Sequence, residues 1–293
     1  MRISKLAVCV FSFLLSSTVN GESIVVLDDL GNEVTISQPA ARIVSLAPHL
    51  TEILFSLDVG DKIVGTVKFS DFPKKAKNIP RLGDAFALNV EAIVAMQPDI
   101  IFAWHTGGVS ASVERLNELG IPVFVNHSSS LNDIASGFVR MGKLVGKAAN
   151  GLRLQSQFNE KLKRLESDIL DGPVVFFQIS DQDLYTISDN HIIGQSIRHC
   201  GGQNLFPDLQ PDVTLVSKEA VIAGSPDLIL LTHSTMNSPG TKASPWLNRW
   251  QSYSFFKGRV ALIDPGLISR PSFRMLEGLS RICELIAPVD GYR

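Results

Sequence analysis

The chain has 293 residues, 45% of them hydrophobic, enough to fill the cores of two α/β lobes or one large domain and too apolar for a disordered chain. Its 27 Lys and Arg against 29 Asp and Glu give a formal charge of −2 at pH 7, which excludes the basic surplus that a nucleic-acid or anionic-lipid partner requires.

The first element is an export signal. Met1 to Lys5 carries two positive charges, Leu6 to Leu15 is almost wholly apolar, and Val19 and Gly21 stand at −3 and −1 of a cut before Glu22. The pattern predicts a signal peptide over 1–21 and an exported, soluble mature protein. A membrane anchor needs about 20 apolar residues, and this run falls well short. A lipid anchor on Cys9 is disfavoured because most of the apolar stretch follows it. Once residues 1–21 are gone, Cys200 and Cys283 are left as an even pair in an oxidising compartment. Such a pair favours one disulfide, with two buried free thiols as the alternative.

Two β-prone runs, Ser23 to Leu27 and Glu33 to Ile36, flank Asp28-Asp29-Leu30-Gly31-Asn32 and read as a hairpin. A βαβ rhythm follows. Strands are expected at Ile43–Leu46, Ile63–Val67, Ile100–Ala103 and Val123–Val125, and helices at Leu50–Leu57, Val90–Met96 and Val109–Leu119. Asn132 to Leu170 contains no proline and predicts one long helix or two abutting ones, with Gly146 and Gly151 as weak points. Beyond Asp171-Gly172-Pro173 a second alternation sets in. Strands are expected at Val174–Ile179, Leu228–Leu231 and Val260–Ile263, and helices at Ile192–Cys200, Lys218–Ala223, Pro245–Trp250 and Phe273–Ile286. The economical reading is an α/β protein with two mainly parallel sheets, in lobes over 22–145 and 171–293 joined by a helix over 146–170.

An internal repeat supports two lobes. Glu91-Ala92-Ile93-Val94-Ala95-Met96-Gln97-Pro98-Asp99-Ile100-Ile101 aligns without a gap on Glu219-Ala220-Val221-Ile222-Ala223-Gly224-Ser225-Pro226-Asp227-Leu228-Ile229. Each copy is a helix opening on Glu, a Pro-Asp turn and a buried strand. The two glutamates complement their helix dipoles. One acidic knob per lobe also suits a symmetric, arginine-bearing partner.

No phosphate-binding, dinucleotide, H-E-x-x-H or G-x-S-x-G motif is present, and Gly107 to Ser112 is a plain glycine-serine loop. His49, His105, His127 and His233 each follow a predicted strand, and the carboxyl ends of parallel strands are where open α/β sheets bind ligands. Three converging imidazoles would suit zinc and one would suit an axial position on iron or cobalt; polar rim histidines are the plainer reading. Phe69, Phe72, Phe86, Trp104, Tyr185 and Trp246 share those loops. Aromatics at a cleft edge suit a large, flat, partly apolar ligand better than a sugar or an ion, with ordinary packing as the alternative.

Five segments together carry a resemblance: Arg42 to Glu52 (R-I-V-S-L-A-P-H-L-T-E), Phe69-Ser70-Asp71-Phe72-Pro73, Asn89 to Ile93, Gln97 to Trp104 and Cys200 to Phe206. They resemble the periplasmic cobalamin-binding proteins of ABC importers, within the siderophore, haem and cobalamin class, over essentially the whole mature chain. The resemblance implies two Rossmann-like lobes joined by one long α-helix, modest hinge motion and a ligand held between the lobes. It implies that Glu91 and Glu219 dock onto arginines of a dimeric permease with its ATPase subunits, that Cys200 and Cys283 form the disulfide, and that the protein is a monomer. The candidate ligand contacts are Pro48, His49, Phe69, Asp71, Phe72, Phe86, Trp104, Tyr185, Trp246 and Arg270. Cobalamin would be cargo, with no resident cofactor, no metal site and no catalytic residue. The chain departs from the cobalamin binders at Ala85 and near Leu267, where tryptophans are implied, and at His49, which replaces a small residue. Haem or a ferric siderophore is the alternative within the class, haem calling for a Tyr or His ligand. A periplasmic α/β enzyme with His49 or His105 as base is the alternative outside it.

Overall fold

The computed structural model describes residues 23–84, 86–106, 110–169, 171–180, 182–233 and 245–287; the expected signal peptide over 1–21 lies outside them. The predicted hairpin forms: β1 (Ile24–Leu27) pairs antiparallel with β2 (Glu33–Ile36). Asp28 closes the turn by accepting the Leu30 and Asn32 amides at 2.9 and 2.8 Å, the local bonding that makes Asp a turn former.

In the first lobe, β3 (Ile43–Ser45), α1 (Pro48–Ser56), β4 (Ile63–Thr66), α2 (Val90–Ala95), β5 (Ile100–Trp104), α3 (Ser110–Glu118) and β6 (Val123–Asn126) follow the expected alternation. The four strands are parallel in the order β4-β3-β5-β6. β3 is wholly buried and β5 is buried up to Trp104, because helices cover both faces of the sheet. α1 supplies Leu50, Ile53 and Leu54 to one face, while α2 and α3 supply Ile93 and Leu116 to the other. α1 begins two residues earlier than predicted, at Pro48, whose fixed φ and missing N–H suit a first turn.

The segment over 132–170 forms two helices, α4 (Leu131–Leu144) and α5 (Ala148–Arg164). A reciprocal capping box of Ser130 and Asp133 starts α4. The break falls at Gly146, whose φ of 73° is the left-handed conformation that glycine adopts without a Cβ clash. Gly151 is no weak point. It lies inside α5, and a Cβ there would stand 2.5 Å from the Phe138 carbonyl oxygen, so its missing side chain lets α4 and α5 touch. α5 ends at Arg164 rather than Leu170, since the Ser167 amide donates to the His199 carbonyl at 3.0 Å and draws the chain out of the helix.

The second lobe contains β7 (Val174–Gln178), β8 (Tyr185–Ile187), α6 (Ile192–His199), β9 (Gln203–Asn204), β10 (Val213–Leu215), α7 (Lys218–Ala223), β11 (Leu228–Thr232), α8 (Pro245–Ser252), β12 (Val260–Ile263), α9 (Pro265–Ile268) and α10 (Met275–Ile286). Its parallel sheet runs β9-β7-β11-β12 and matches the first strand for strand. The internal repeat survives in detail. Asn89 caps α2 and Ser217 caps α7. Gln97 and Ser225 both take positive φ, and the Asp99 and Asp227 carboxylates accept the amides of Arg42 and Val174, where β3 and β7 begin. β8 and β10, absent from the sequence reading, pair antiparallel as a separate ribbon.

One apolar core crosses from lobe to lobe. It takes Phe102 and Phe124 from the first sheet, Phe138 and Phe158 from α4 and α5, and Phe177, Leu279 and Ile282 from the second lobe. Cys200, just after α6, and Cys283, in α10, form the expected disulfide, with Cα atoms 4.7 Å apart. Among the described residues no helix is long and apolar enough to cross a membrane.

Candidate functional site

Chain segments that follow strands of the two sheets meet. Asp71, in the loop after β4, and Arg270, beyond β12 and α9, form an ion pair of 2.7 Å from opposite lobes. These two predicted contacts are therefore brought together by the fold. The loop bearing Asp71 is built on buried hydroxyls: Thr51 Oγ1 lies 2.9 Å from Ser45 Oγ and 2.8 Å from Thr66 Oγ1, and Thr66 donates to Ser70 Oγ at 2.9 Å. Arg81 Nη2 adds a bond to the Ser70 carbonyl at 2.8 Å. This foundation holds Phe69 at φ 65°, a conformation that a bulky side chain adopts only when its surroundings impose it, and leaves the residue 73% exposed.

Phe86 is presented in a similar way. Asp84 accepts the Phe86 and Ala87 amides at 3.0 and 3.1 Å and pairs with Lys68 at 3.0 Å, and Phe86 is left 85% exposed. Lys68 and those two amides hold the Asp84 carboxyl below the usual range. Phe72 is exposed on one side and carries the Arg274 guanidinium 3.7 Å from its ring centroid.

Pro48 and His49 open α1, so His49 sits in a helix and not on the rim loop the sequence suggested. Its ring is buried, meets Trp104 edge-on at 5.7 Å, and places Nε2 2.9 Å from Asn126 Oδ1. Asn126 Nδ2 donates to Asp29 Oδ2 at 2.8 Å, which turns the amide oxygen toward His49 and assigns the imidazole proton to Nε2. Asp29 in turn pairs with Arg140 at 2.6 Å. Burial lowers the His49 pKa to about 4, so the ring is neutral at pH 7.

His105 and His127 follow neighbouring strands, with ring centroids 5.0 Å apart, and alternation along the strands puts them on the sheet face opposite Trp104 and Asn126. His233, after β11, is buried in the second lobe. The four histidines do not converge, and among the described residues no group of three or more His, Cys, Asp or Glu is placed to hold a metal.

In the second lobe Tyr185 is partly exposed on β8 and registers against Leu215 of β10, which is exposed with Val213. The sequence reading missed Leu215 and Val213; only an apolar alternation in Val213-Thr214-Leu215 signalled them. Trp246 is more committed to its own lobe. Its indole N–H donates to the Gln182 carbonyl at 2.9 Å, its ring stacks on Trp250 at 5.5 Å, and Arg249 lies 4.5 Å from its centroid. The reading also missed Glu52, a buried carboxylate of α1 bonded to Arg270, Ser272 and Arg274. Burial pushes its carboxyl above the usual range, against Ser272, Arg274 and Arg270, which pull it down. Glu91 and Glu219 lie exposed at equivalent positions of α2 and α7.

Residues 43–245, well over half of the chain, match the sequence profile of the family described as periplasmic binding protein. The chain belongs to that family. Relatives of this periplasmic binding protein include the vitamin B12-binding protein of Vibrio campbellii, 29% identical over 84% of this chain and 89% of the relative. The corresponding protein of Yersinia pestis is 27% identical over 86% and 89%. Among solved structures, the periplasmic vitamin B12 binding protein of Vibrio cholerae shares a TM-score of 0.76 and 26% identity, over 85% of this chain and 97% of that one. The periplasmic heme-binding protein of Roseiflexus shares the fold, with a TM-score of 0.73 and 22% identity over 84% and 98%.

Proposed function

We propose that this periplasmic binding protein captures cobalamin, or a related corrinoid, between its lobes and delivers it to the permease dimer of an ABC importer, without catalysis. The observation that carries the reading is a set of exposed aromatic residues contributed by both lobes: Phe69, Phe72 and Phe86 in the chain between β4 and α2, and Tyr185 on β8. Large exposed apolar groups mark a contact surface, and flat rings supplied by both lobes suit a flat, partly apolar macrocycle. Trp104, Pro48, His49, Asp71, Trp246 and Arg270 complete the proposed surroundings of the ligand. The relatives named as vitamin B12-binding proteins support the choice of cargo.

In this reading the mature protein is a periplasmic monomer. Residues 22–145 and 171–293 form the gripping halves, and 146–170 spans them. Glu91 and Glu219, exposed at matching helix starts, dock onto the permease. A haem reading has one specific observation in its favour, the His105 and His127 pair at the ends of β5 and β6. Calorimetric titration of the mature protein with cyanocobalamin, haemin and a ferric siderophore separates the two. One-to-one binding of the corrinoid alone is expected; silence with cyanocobalamin and a strong haemin signal would move the assignment to haem.

A further inference from the structure

A single short segment of the second lobe clasps the first. Arg270 Nη1 and Arg274 Nη1 donate to Glu52 Oε1 at 3.0 and 3.1 Å, and Ser272 Oγ donates to Oε2 at 2.6 Å. Phe273, between them, packs on Phe138 and Phe158 with ring centroids 6.1 Å away. The Glu52 side chain is 2% exposed, so a ligand in the cleft does not reach it. A buried ion cluster adds little net stability over an apolar seam, because desolvation offsets the attraction. What such a cluster fixes is direction, through charge-assisted bonds of defined geometry.

Arg270 is the member whose direction matters. Its Nη1 is shared between Glu52, buried behind it, and Asp71, half-exposed at the mouth. We propose that Glu52 is a positioning residue of the binding site: it anchors Arg270 from behind, so that the guanidinium stays at the mouth of the cleft when a polar edge of the ligand displaces Asp71. The ligand group that fits is a hydrogen-bond acceptor at the rim of the macrocycle, an amide carbonyl or a phosphate oxygen. This rests on the cleft reading above and adds to it a residue that touches no ligand.

The test is a double-mutant cycle in titrations of cyanocobalamin into the mature protein. Glu52→Gln keeps the side-chain shape and removes the charge; it is expected to raise Kd about tenfold, within the range of coupled contacts. In the Arg270→Ala background the same substitution should change Kd by less than about twofold, because its effect passes through Arg270. Losses that multiply in the double variant would show a general loosening of α1 and overturn the proposal, as would wild-type affinity in Glu52→Gln. Ser272→Ala removes one bond to the carboxylate and leaves its charge; it should show a smaller loss with the same dependence on Arg270, and it serves if Glu52→Gln does not fold. If wild type binds none of the three ligands, the transport reading falls. Hydrogen exchange on the ligand-free protein then decides the clasp: faster exchange across 270–274 in Glu52→Gln supports it, and unchanged exchange overturns it.

Discussion

Lowering the pH from 7 to 4 probes the environment of His49. The residue is 4% exposed and its pKa is lowered to about 4 from the ordinary 6.5. The unfolded chain takes up the proton near the ordinary value, while the folded protein resists it until about 4. Stability from this group is therefore complete above pH 6.5, is lost as pH falls from 6.5 towards 4, and is flat below. At about 1.4 kcal/mol per unit, the whole window amounts to about 3 kcal/mol. The assay is urea unfolding of the protein over residues 22–293 at steps of pH, for wild type and His49→Gln. The difference between the two isolates His49 from the carboxylates and from His191, whose pKa burial also lowers. Wild-type stability is expected to converge downward on the variant by about 3 kcal/mol between pH 6.5 and 4. Parallel curves would refute the reasoning, and with it the neutral ring bonded to Asn126.

Three further outcomes are expected. Replacing Cys200 and Cys283 by Ala opens a link across 83 residues and lowers the unfolding free energy by up to about 4.5 kcal/mol in the chain-entropy treatment, read by urea denaturation. Corrinoid affinity should not change, because Cys200 ends α6 just before β9 starts, at the amino and not the carboxyl end of that strand. Trp104→Ala should weaken corrinoid binding by roughly 1 to 3 kcal/mol in calorimetry if its ring stacks on the ligand; an unaltered Kd would return Trp104 to a packing role against His49. Glu91→Ala with Glu219→Ala should leave Kd unchanged and cut uptake in a cell-based transport assay, and normal uptake by the double variant would remove the docking role.

Much of the fold was legible because parallel strands covered on both faces are unbroken aliphatic runs, and Ile100-Ile101-Phe102-Ala103 and Leu228-Ile229-Leu230-Leu231 are of that kind. Their last residues, Trp104 and Thr232, were left out of the predicted strands because an aromatic or polar side chain at a strand end looks like loop. β8, β9 and β10 escaped notice since two or three residues acquire strand character only from a partner distant in sequence. The site divided along the same line. Phe69 and Phe86 stood out as aromatics in polar turns. Glu52 did not, because its partners lie 218 to 222 residues away, and within its helix a single glutamate among aliphatics carries no mark of burial. The spacing of Arg270, Ser272 and Arg274 before the last helix was the one available signal.

The apolar core that runs through α4 and α5 into both sheets has a consequence for building hybrids of this protein. Exchanging the second lobe with that of a relative would graft a foreign Phe273 into the pocket made by Phe138 and Phe158, and foreign arginines onto Glu52. A cut in the 146–170 region therefore separates residues that must match. A working chimera would carry α1, α4, α5 and residues 270–274 from one parent, so the unit of exchange is the seam with both its banks.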